Sequence, residues 1–501
     1  MSRTQVLIVG AGPTGLVLAL WLTHLGIAVR IVDRAAKAGA TSRAVAVQAR
    51  TLELYRQLGL DTAVVEGGQR VAAANFWFRG RRAAVAPLGP IGQGLSPYPY
   101  LLMYPQDDHE RMLEARLAEA GVRVERDVEV ATFSEDAQGV TATLAGAACQ
   151  ADYIVGCDGA HSMVRKQVAG EFPGGTYDHL FYVADIQGRG PTLDGELHVA
   201  LDDADFLAIF PLKGKGRARL IGTLNDATAD PARLTFDDVS RTALAAMRME
   251  IETVNWFSTY RVHHRVAERF RQGRAFIVGD AAHIHSPVGG QGMNTGLGDA
   301  INLAWKLAAV LQDRARDDLL DTYQVERRAF ALRLVATTDR AFTAATGSGG
   351  LARFVRTQVF PRAAALAVRI TAVRRLMFRT ISQIAIAYPQ SALSAGAAGR
   401  VKGGDRMPWI ETASGDNFEG LDPRFWHVIV YGEVRQTLAD WCALNGVTLH
   451  PHRWGASAQA AGVQRDATYL LRPDGYVGLA APGGSDRAIA RYFAARNLRP
   501  G

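Results

Sequence analysis

Gln5-Val6-Leu7-Ile8-Val9-Gly10-Ala11-Gly12-Pro13-Thr14-Gly15 is the stretch on which the fold turns. Residues 5–9 read as a buried strand, and three glycines follow at the spacing G-x-G-x-x-G. An apolar run of helical length extends from Leu16 to Leu25, and Gly26 ends it. Ala28–Val32 is a second strand that closes on Asp33. The whole is a compact βαβ unit. Its glycines permit a tight turn, close approach of backbone to a pyrophosphate, and close helix–strand packing. The helix N-terminus faces the phosphates, and Asp33 is placed to accept from a ribose hydroxyl. In this context, with an acid at the right distance, the motif is a strong signal for a bound dinucleotide. It does not say which one.

Outward from this unit, residues 107–120 are amphipathic and helical. Residues 121–155 alternate in short β-like runs, with turns at Asp136–Gly139 and Leu144–Ala147. Tyr153–Cys157 is another apolar strand. From about 176 to 262 short alternating runs are broken by Gly, Pro and Asp, which predicts an inserted antiparallel sheet. Ala275–Val278 restores the buried parallel-strand pattern, and helices are expected from about 295 to 345 and on to about 385. Residues 394–404 look like a linker of small residues, and the last hundred carry strands and a helix of their own. The expected architecture is α/β: a Rossmann-like domain in two parts (1–175 and 266–393), an inserted substrate sheet (176–265), the linker (394–404) and a C-terminal domain (405–501).

The chain has 501 residues, 48% apolar and 21% charged, which excludes disorder and fibre. Its three cysteines, Cys149, Cys157 and Cys442, form no C-x-x-C, so neither a disulfide scaffold nor a cysteine zinc site is expected, and the usage fits a reducing cytoplasm. No uninterrupted apolar run is long enough for a spanning helix. The net charge of +7 is local. From Arg340 to Gly404 there are ten Lys or Arg and no Asp or Glu. No nucleic-acid-binding pattern accompanies them, so no nucleic-acid partner is expected.

Two further motifs carry chemistry. Gly279-Asp280-Ala281-Ala282-His283 follows a strand and continues through Pro287-Val288-Gly289-Gly290-Gln291-Gly292-Met293-Asn294 into a helix. An acid at a strand end can hold a ribityl or ribose hydroxyl. A glycine run opening a helix offers backbone N–H groups to negative charge. With no second G-x-G-x-x-G in the chain, one long cofactor held at both ends is the expectation. The third motif runs from Gly156-Cys157-Asp158-Gly159 to Arg165, a strand, a turn and a helix start.

Together these segments resemble the single-component, FAD-dependent aromatic hydroxylases, the class A flavoprotein monooxygenases, over about residues 4–340. Gly404-Asp405-Arg406-Met407-Pro408 and Leu471-Arg472-Pro473-Asp474-Gly475-Tyr476-Val477 resemble the thioredoxin-like tail of the phenol-hydroxylase branch. That tail lacks a cysteine pair and cannot run dithiol chemistry. The resemblance implies FAD, with NADPH or NADH as reductant, and O₂ delivered to an aromatic substrate, phenolic or polycyclic, through a flavin C4a-hydroperoxide. It implies that Gly10, Gly12 and Gly15 hold the pyrophosphate, with Asp33 and Arg34 at the adenosine ribose. Arg43 would lie along the phosphates, Gln106 at the ribityl chain, and Val130 at the adenine. Asp158 belongs to a motif tied to both cofactors, and Asp280 would bind the ribityl side. Gly290, Gly292, Met293 and Asn294 would bracket the flavin ring, and Pro287 would sit beside the substrate. Phe206, Phe210 and Trp256 are candidate pocket residues, although core packing would also account for each.

His283 and His285 stand two apart, but no carboxylate spacing supports a metal, and none is expected. His263 and His264 end the expected sheet, and neither is assigned as a base. The basic stretch reads as a solvated face or a dimer contact, with peripheral membrane contact by helices 353–380 as the second reading. Monomer and homodimer both stay open. The competing functions are a Baeyer–Villiger oxygenation, an NAD-dependent dehydrogenase, and a non-catalytic flavin-binding protein. Because no cofactor motif lies in 405–501, deletion of that segment is expected to leave FAD bound.

Overall fold

The computed structural model describes residues 2–39, 44–89, 91–201, 206–224, 233–239, 241–285, 290–346, 359–367 and 369–500. Arg43 and Pro287 lie outside the described residues, as do Val288 and Gly289. β1 (Ser2–Val9) leads into α1 (Pro13–His24) and β2 (Val29–Val32). Val6–Val9 are buried, as a central parallel strand requires. α1 is apolar all round and buried from Gly15 to Leu22, so it sits inside the domain rather than on its surface. There follow α2 (Ala49–Arg56), β3 (Ala73–Phe78), β4 (Arg81–Pro87) and α3 (Gln106–Glu119). Two hairpins turn where expected, joining β5 (Val130–Asp136), β6 (Gly139–Leu144) and β7 (Ala147–Gly156). α4 (Met163–Val168) ends this part.

Next come β8 (Gly174–Arg189), β9 (Leu197–Leu201), β10 (Phe206–Pro211), β11 (Arg217–Leu224), α5 (Arg241–Ala246) and β12 (Glu250–Val266). The chain returns through β13 (Arg271–Gln272), β14 (Ala275–Ile277) and β15 (His283–Ile284) to the long α6 (Gly292–Leu311) and α7 (Asp321–Thr346). α8 (Phe360–Ala367) and α9 (Thr371–Ile381) lie in the basic segment.

The first sheet has the path β13-β14-β7-β1-β2, extended from β7 by β6 and β5. β1 is parallel to β2 and β7, and β7 is parallel to β14. The register aligns Val9 with Gly156, and Gly156 with Ile277. All three motifs therefore leave adjacent strands at one carboxyl edge, where ligands bind in open α/β sheets.

The second sheet has eight strands in the order β15-β12-β8-β11-β10-β9-β3-β4. It is larger than the expected 176–265 block. β3 and β4 join through a parallel pairing of β3 with β9, such as Val199 with Phe76. Nothing in the local pattern of residues 73–87 reveals a partner more than a hundred residues away.

The C-terminal sheet also takes in residues read as a linker. β16 (Ala395–Ala398) pairs in parallel with a later strand, and β17 (Val401–Lys402) pairs with β16. Small residues mark close packing here, not slack: a Cβ on Gly403 would lie 2.2 Å from the Ala395 N. The rest of this unit is β18 (His427–Tyr431), α10 (Gln436–Leu444), β19 (Thr448–His452), α11 (Ala456–Ala461), β20 (Thr468–Leu471), β21 (Val477–Ala481) and α12 (Asp486–Ala494).

The C-terminal unit is welded to the first domain by buried charge. Arg472 donates to both oxygens of Glu326 on α7, at 2.6 and 2.9 Å, and to Asp474. Lys306 on α6 donates to Glu326 at 2.9 Å. Arg406 and Arg50 converge on Glu53 of α2, which also accepts from Ser96. Every group in this network is buried.

Candidate active site

The first glycine loop is fixed by contacts that exclude side chains. Gly10 has φ +102°, and a Cβ there would lie 2.4 Å from the Cys157 carbonyl oxygen. A Cβ on Gly15 would lie 2.0 Å from the Gly10 oxygen. Gly12 differs, since no protein atom lies within 4 Å of its Cβ position. Gly12 opens onto a cavity of about 270 Å³ lined by Gly10, Asp33, Arg34, Val130, Asp158 and others. No side chain caps the α1 N-terminus. Its first N–H groups are therefore left for a ligand.

Asp33 accepts from the Ala11 and Ala35 N–H groups at 2.6 and 2.8 Å, which holds its carboxylate at the cavity wall. Arg126 approaches it at 3.9 Å. The carboxylate of Asp158 accepts from the Ser162 hydroxyl and from the Met163 N–H at 2.7 Å, so it caps α4. Burial, with Asp158 and Asp299 nearby, raises the Cys157 thiol well above its ordinary range and keeps it neutral beside the loop.

The second motif sits against the first. Gly279 has φ +63°, and Thr14 Oγ1 lies 2.8 Å from its Cβ position and 2.5 Å from that of Gly296 on α6. The Gly279 turn and helix α6 thus both close over one threonine of α1. Asp280 is exposed on the short turn Gly279–Ala281. Behind it, Asp299 accepts from the Gly279 N–H at 3.2 Å and pairs with His283 at 2.6 Å and with Arg327. Burial opposes ionisation of Asp299, but Arg327 and His283 outweigh it and hold the carboxyl below its ordinary range. His283 is spent on this contact. Among the described residues no cluster fit to hold a metal exists.

α6 begins at Gly292 with no side-chain cap. The Asn294 side chain accepts from the Gln48 N–H and the Thr51 hydroxyl, both at 2.8 Å. It donates to the Ala46 and Gly290 oxygens at 2.9 and 3.0 Å. That side chain is a staple between α2 and α6, which leaves the first N–H groups of the helix to carry any ligand interaction. Gln106 is likewise engaged, accepting from the Ala44 N–H and donating to Glu110.

The central sheet turns one face toward these loops. The register sets Phe210, Arg219, Asp185 and Trp256 in one cross-strand row, and Phe206, Thr223, Phe181 and Tyr260 in another on the same face. The opposite face, with Leu207, Ile209 and Leu220, packs with Ala243 and Met247 at α5. Arg219 is buried, pairs with both oxygens of Asp185 at 2.6 and 2.7 Å, and donates to the Ala44 oxygen at 2.6 Å. Phe210 and Trp256 therefore flank an ion pair as well as apolar surface. At the other end His264 lies tilted against Tyr177, with ring centroids 4.8 Å apart, and its Nδ1 is buried and unpartnered. His263 points the other way, to Thr176. His285 reaches to within 3.7 Å of the Gly292 Cβ position.

The FAD binding domain family matches residues 3–338. A flavin-dependent monooxygenase of Mycobacteroides abscessus is 32% identical, and the match covers 98% of this chain and 99% of that protein. The chain belongs to the FAD-dependent monooxygenases. The 6-methylpretetramide 4-monooxygenase of Streptomyces rimosus is 34% identical over 96% of this chain and 90% of its own. The anhydrotetracycline hydroxylase OxyS of Streptomyces rimosus superposes with a TM-score of 0.78 at 28% identity, covering 100% of both chains.

The residues of this monooxygenase fit FAD. A diphosphate has uncapped N–H groups and an open Gly12 side to meet, and the cavity beyond has an acid at its wall. Residue types did not disclose Thr14, Asp299 or Arg327, nor His161 and Met163, which also line the cavity. Thr14, Asp299 and Arg327 act through contacts across the sequence, which no local spacing encodes.

Proposed function

We propose that this monooxygenase hydroxylates a planar polycyclic phenol held between the aromatic face of the central sheet and the N-terminus of α6. The observation that carries the reading is the shared face of Phe206, Phe181, Tyr260, Phe210 and Trp256, from which Arg219 reaches the Ala44 oxygen of the first domain. Offset and edge contacts from such rings suit a flat aromatic ligand. Relatives named for 6-methylpretetramide and anhydrotetracycline support the same substrate class.

In this reading Gly10, Gly12 and Gly15 shape the diphosphate site, with Asp33, Arg34 and Val130 about the adenosine. Asp280 holds the ribityl side. The N–H groups at Gly292, Met293 and Asn294 stabilise negative charge at the flavin's pyrimidine edge. Bound FAD, reduced by NADPH or NADH, supplies the oxygen-transfer chemistry. The chain's own part is to hold the ring, orient the substrate and exclude water. The eight-stranded sheet is the wall that does so. His264 offers its buried Nδ1 to a phenolic oxygen. The parallel β18-α10-β19 unit, and the antiparallel β20 and β21 that lead into α12, support reading the C-terminal unit as thioredoxin-like. Its one cysteine, Cys442, is buried, so it acts as a scaffold.

The test is NADPH and NADH oxidation by the yellow enzyme with a panel of polycyclic phenols under ¹⁸O₂. Substrate-stimulated oxidation with one labelled oxygen on a ring carbon is expected, with a KM about tenfold higher for Trp256→Ala. Label inserted beside a ketone would point to Baeyer–Villiger chemistry. Oxidation that no aromatic stimulates would reject the proposal.

A further inference from the structure

Among the described residues, five of the eleven exposed large apolar side chains fall between Val359 and Leu376. They are Val359, Leu366, Ile370, Val373 and Leu376, with Leu366, Ile370 and Leu376 at 64%, 54% and 67% exposure. Scattered exposed apolar residues need no explanation, but a concentration like this marks an interaction surface. Exposed Arg362, Arg369, Arg375 and Arg379 are interleaved with them. No Asp or Glu occurs from residue 340 to residue 404.

This surface is anchored to the catalytic machinery. Phe378 on α9 is fully buried, and its ring lies 2.3 Å from the Cβ position of Gly92. The next residues turn inward: the Ser382 oxygen accepts from the Arg50 N–H at 3.1 Å. Gln383 donates to the Thr295 hydroxyl at 3.0 Å and to the Gln291 oxygen at the start of α6. α8 packs along β4, the outer strand of the substrate sheet.

We propose that α8 and α9 form a peripheral docking surface for an anionic lipid bilayer. Arginines alternating with branched apolar side chains match the interfacial boundary, where apolar groups enter among the acyl chains and guanidinium groups stay with phosphates. A second copy of the chain fits poorly, because a two-fold contact would bring the same arginines together with no acid between them. The surface lies between the sheet edge and the flavin-side helix, so a lipid-dissolved apolar substrate would meet the enzyme there.

The test is cosedimentation of the full-length holoenzyme with vesicles of phosphatidylcholine containing about 30% phosphatidylserine, and with pure phosphatidylcholine vesicles. Binding roughly tenfold stronger to the anionic vesicles, and weakened by added salt, is expected. The triple variant Leu366→Glu, Ile370→Glu, Leu376→Glu should lose it while keeping wild-type FAD content and melting temperature. The triple variant Arg369→Gln, Arg375→Gln, Arg379→Gln should lose the preference for anionic lipid. Failure to sediment with either vesicle, or undiminished binding by the glutamate variant, would overturn the proposal. So would a concentration-dependent dimer in light scattering that the glutamate variant abolishes, since the occupant would then be a second copy.

Discussion

Gly10 and Gly12 are the same residue two positions apart, yet substitution should separate them. A methyl on Gly10 meets the Cys157 carbonyl and demands a strained positive φ, so Gly10→Ala should impair folding itself. A methyl on Gly12 meets no protein atom and projects into the cavity. Gly12→Ala should therefore keep the melting temperature of the apoprotein and weaken FAD binding by tenfold or more, read by flavin fluorescence titration. Asp280→Ala should also weaken FAD retention, because it removes the acceptor proposed for the cofactor's ribityl side; unchanged occupancy would count against that role. His109 carries a different signal. Burial lowers it from 6.5 to about 3, and its Nε2 meets the Tyr55 hydroxyl at 2.8 Å. The unfolded chain takes up a proton that the native chain refuses, so stability is lost as pH falls below 6.5. The loss from this group is about 2 kcal/mol at pH 5. Urea midpoints at pH 7 and pH 5 should show it, and His109→Gln should flatten the difference.

At the level of elements, the N-terminus of α6 is held in place by a side chain, while the proposed flavin contact runs through its backbone. Asn294 ties α6 to α2 and to residues 46–48 by three hydrogen bonds and makes a fourth to the Gly290 oxygen. Asn294→Ala removes all four and leaves buried groups unpaired, at a cost of about 1–3 kcal/mol for each group left without a partner. Flavin should still bind to the first domain, but with altered visible circular dichroism and a lower midpoint potential, because the N–H groups proposed to stabilise the reduced ring lose their aim. A variant with a wild-type spectrum and potential would show that α6 is fixed without this staple.

For the whole molecule, buried contacts argue against the expectation that FAD survives loss of residues 405–501. No cofactor motif lies in the C-terminal unit, but Arg472 is the buried partner of Glu326, Asp474 accepts from Asn302 and Trp305, and Arg406 pairs with Glu53, all in the first domain. Truncation strips those partners and also uncovers Trp305, whose ring packs edge-on against Trp426 at 5.8 Å. A fragment ending at Gly404 should be insoluble or colourless, and a soluble yellow fragment would refute this. The milder Arg472→Met leaves the chain whole but strands carboxylates in the interior. It should cost about 3–5 kcal/mol, read from the urea unfolding of the holoenzyme.

Residues 5–33 specified a βαβ unit with a glycine turn, and the short runs ending at Gly156 and Ile277 specified two more parallel strands, because those signals are local: period, length, glycine spacing and an acid at a fixed distance. The cavity joins Gly10, Gly12, Asp33, Arg34, Val130 and Asp158, all legible in the sequence. Only the tertiary structure revealed that β3 and β4 complete the substrate sheet, that residues 394–404 are strands, and that Asn294 and Asp158 spend their side chains on protein. It alone set Thr14 between Gly279 and Gly296, and Asp299 behind the second motif. The physical reason is the same in each case. Pairing across a hundred or more residues, and the partner a buried polar group finds, depend on which surfaces the folded chain brings together.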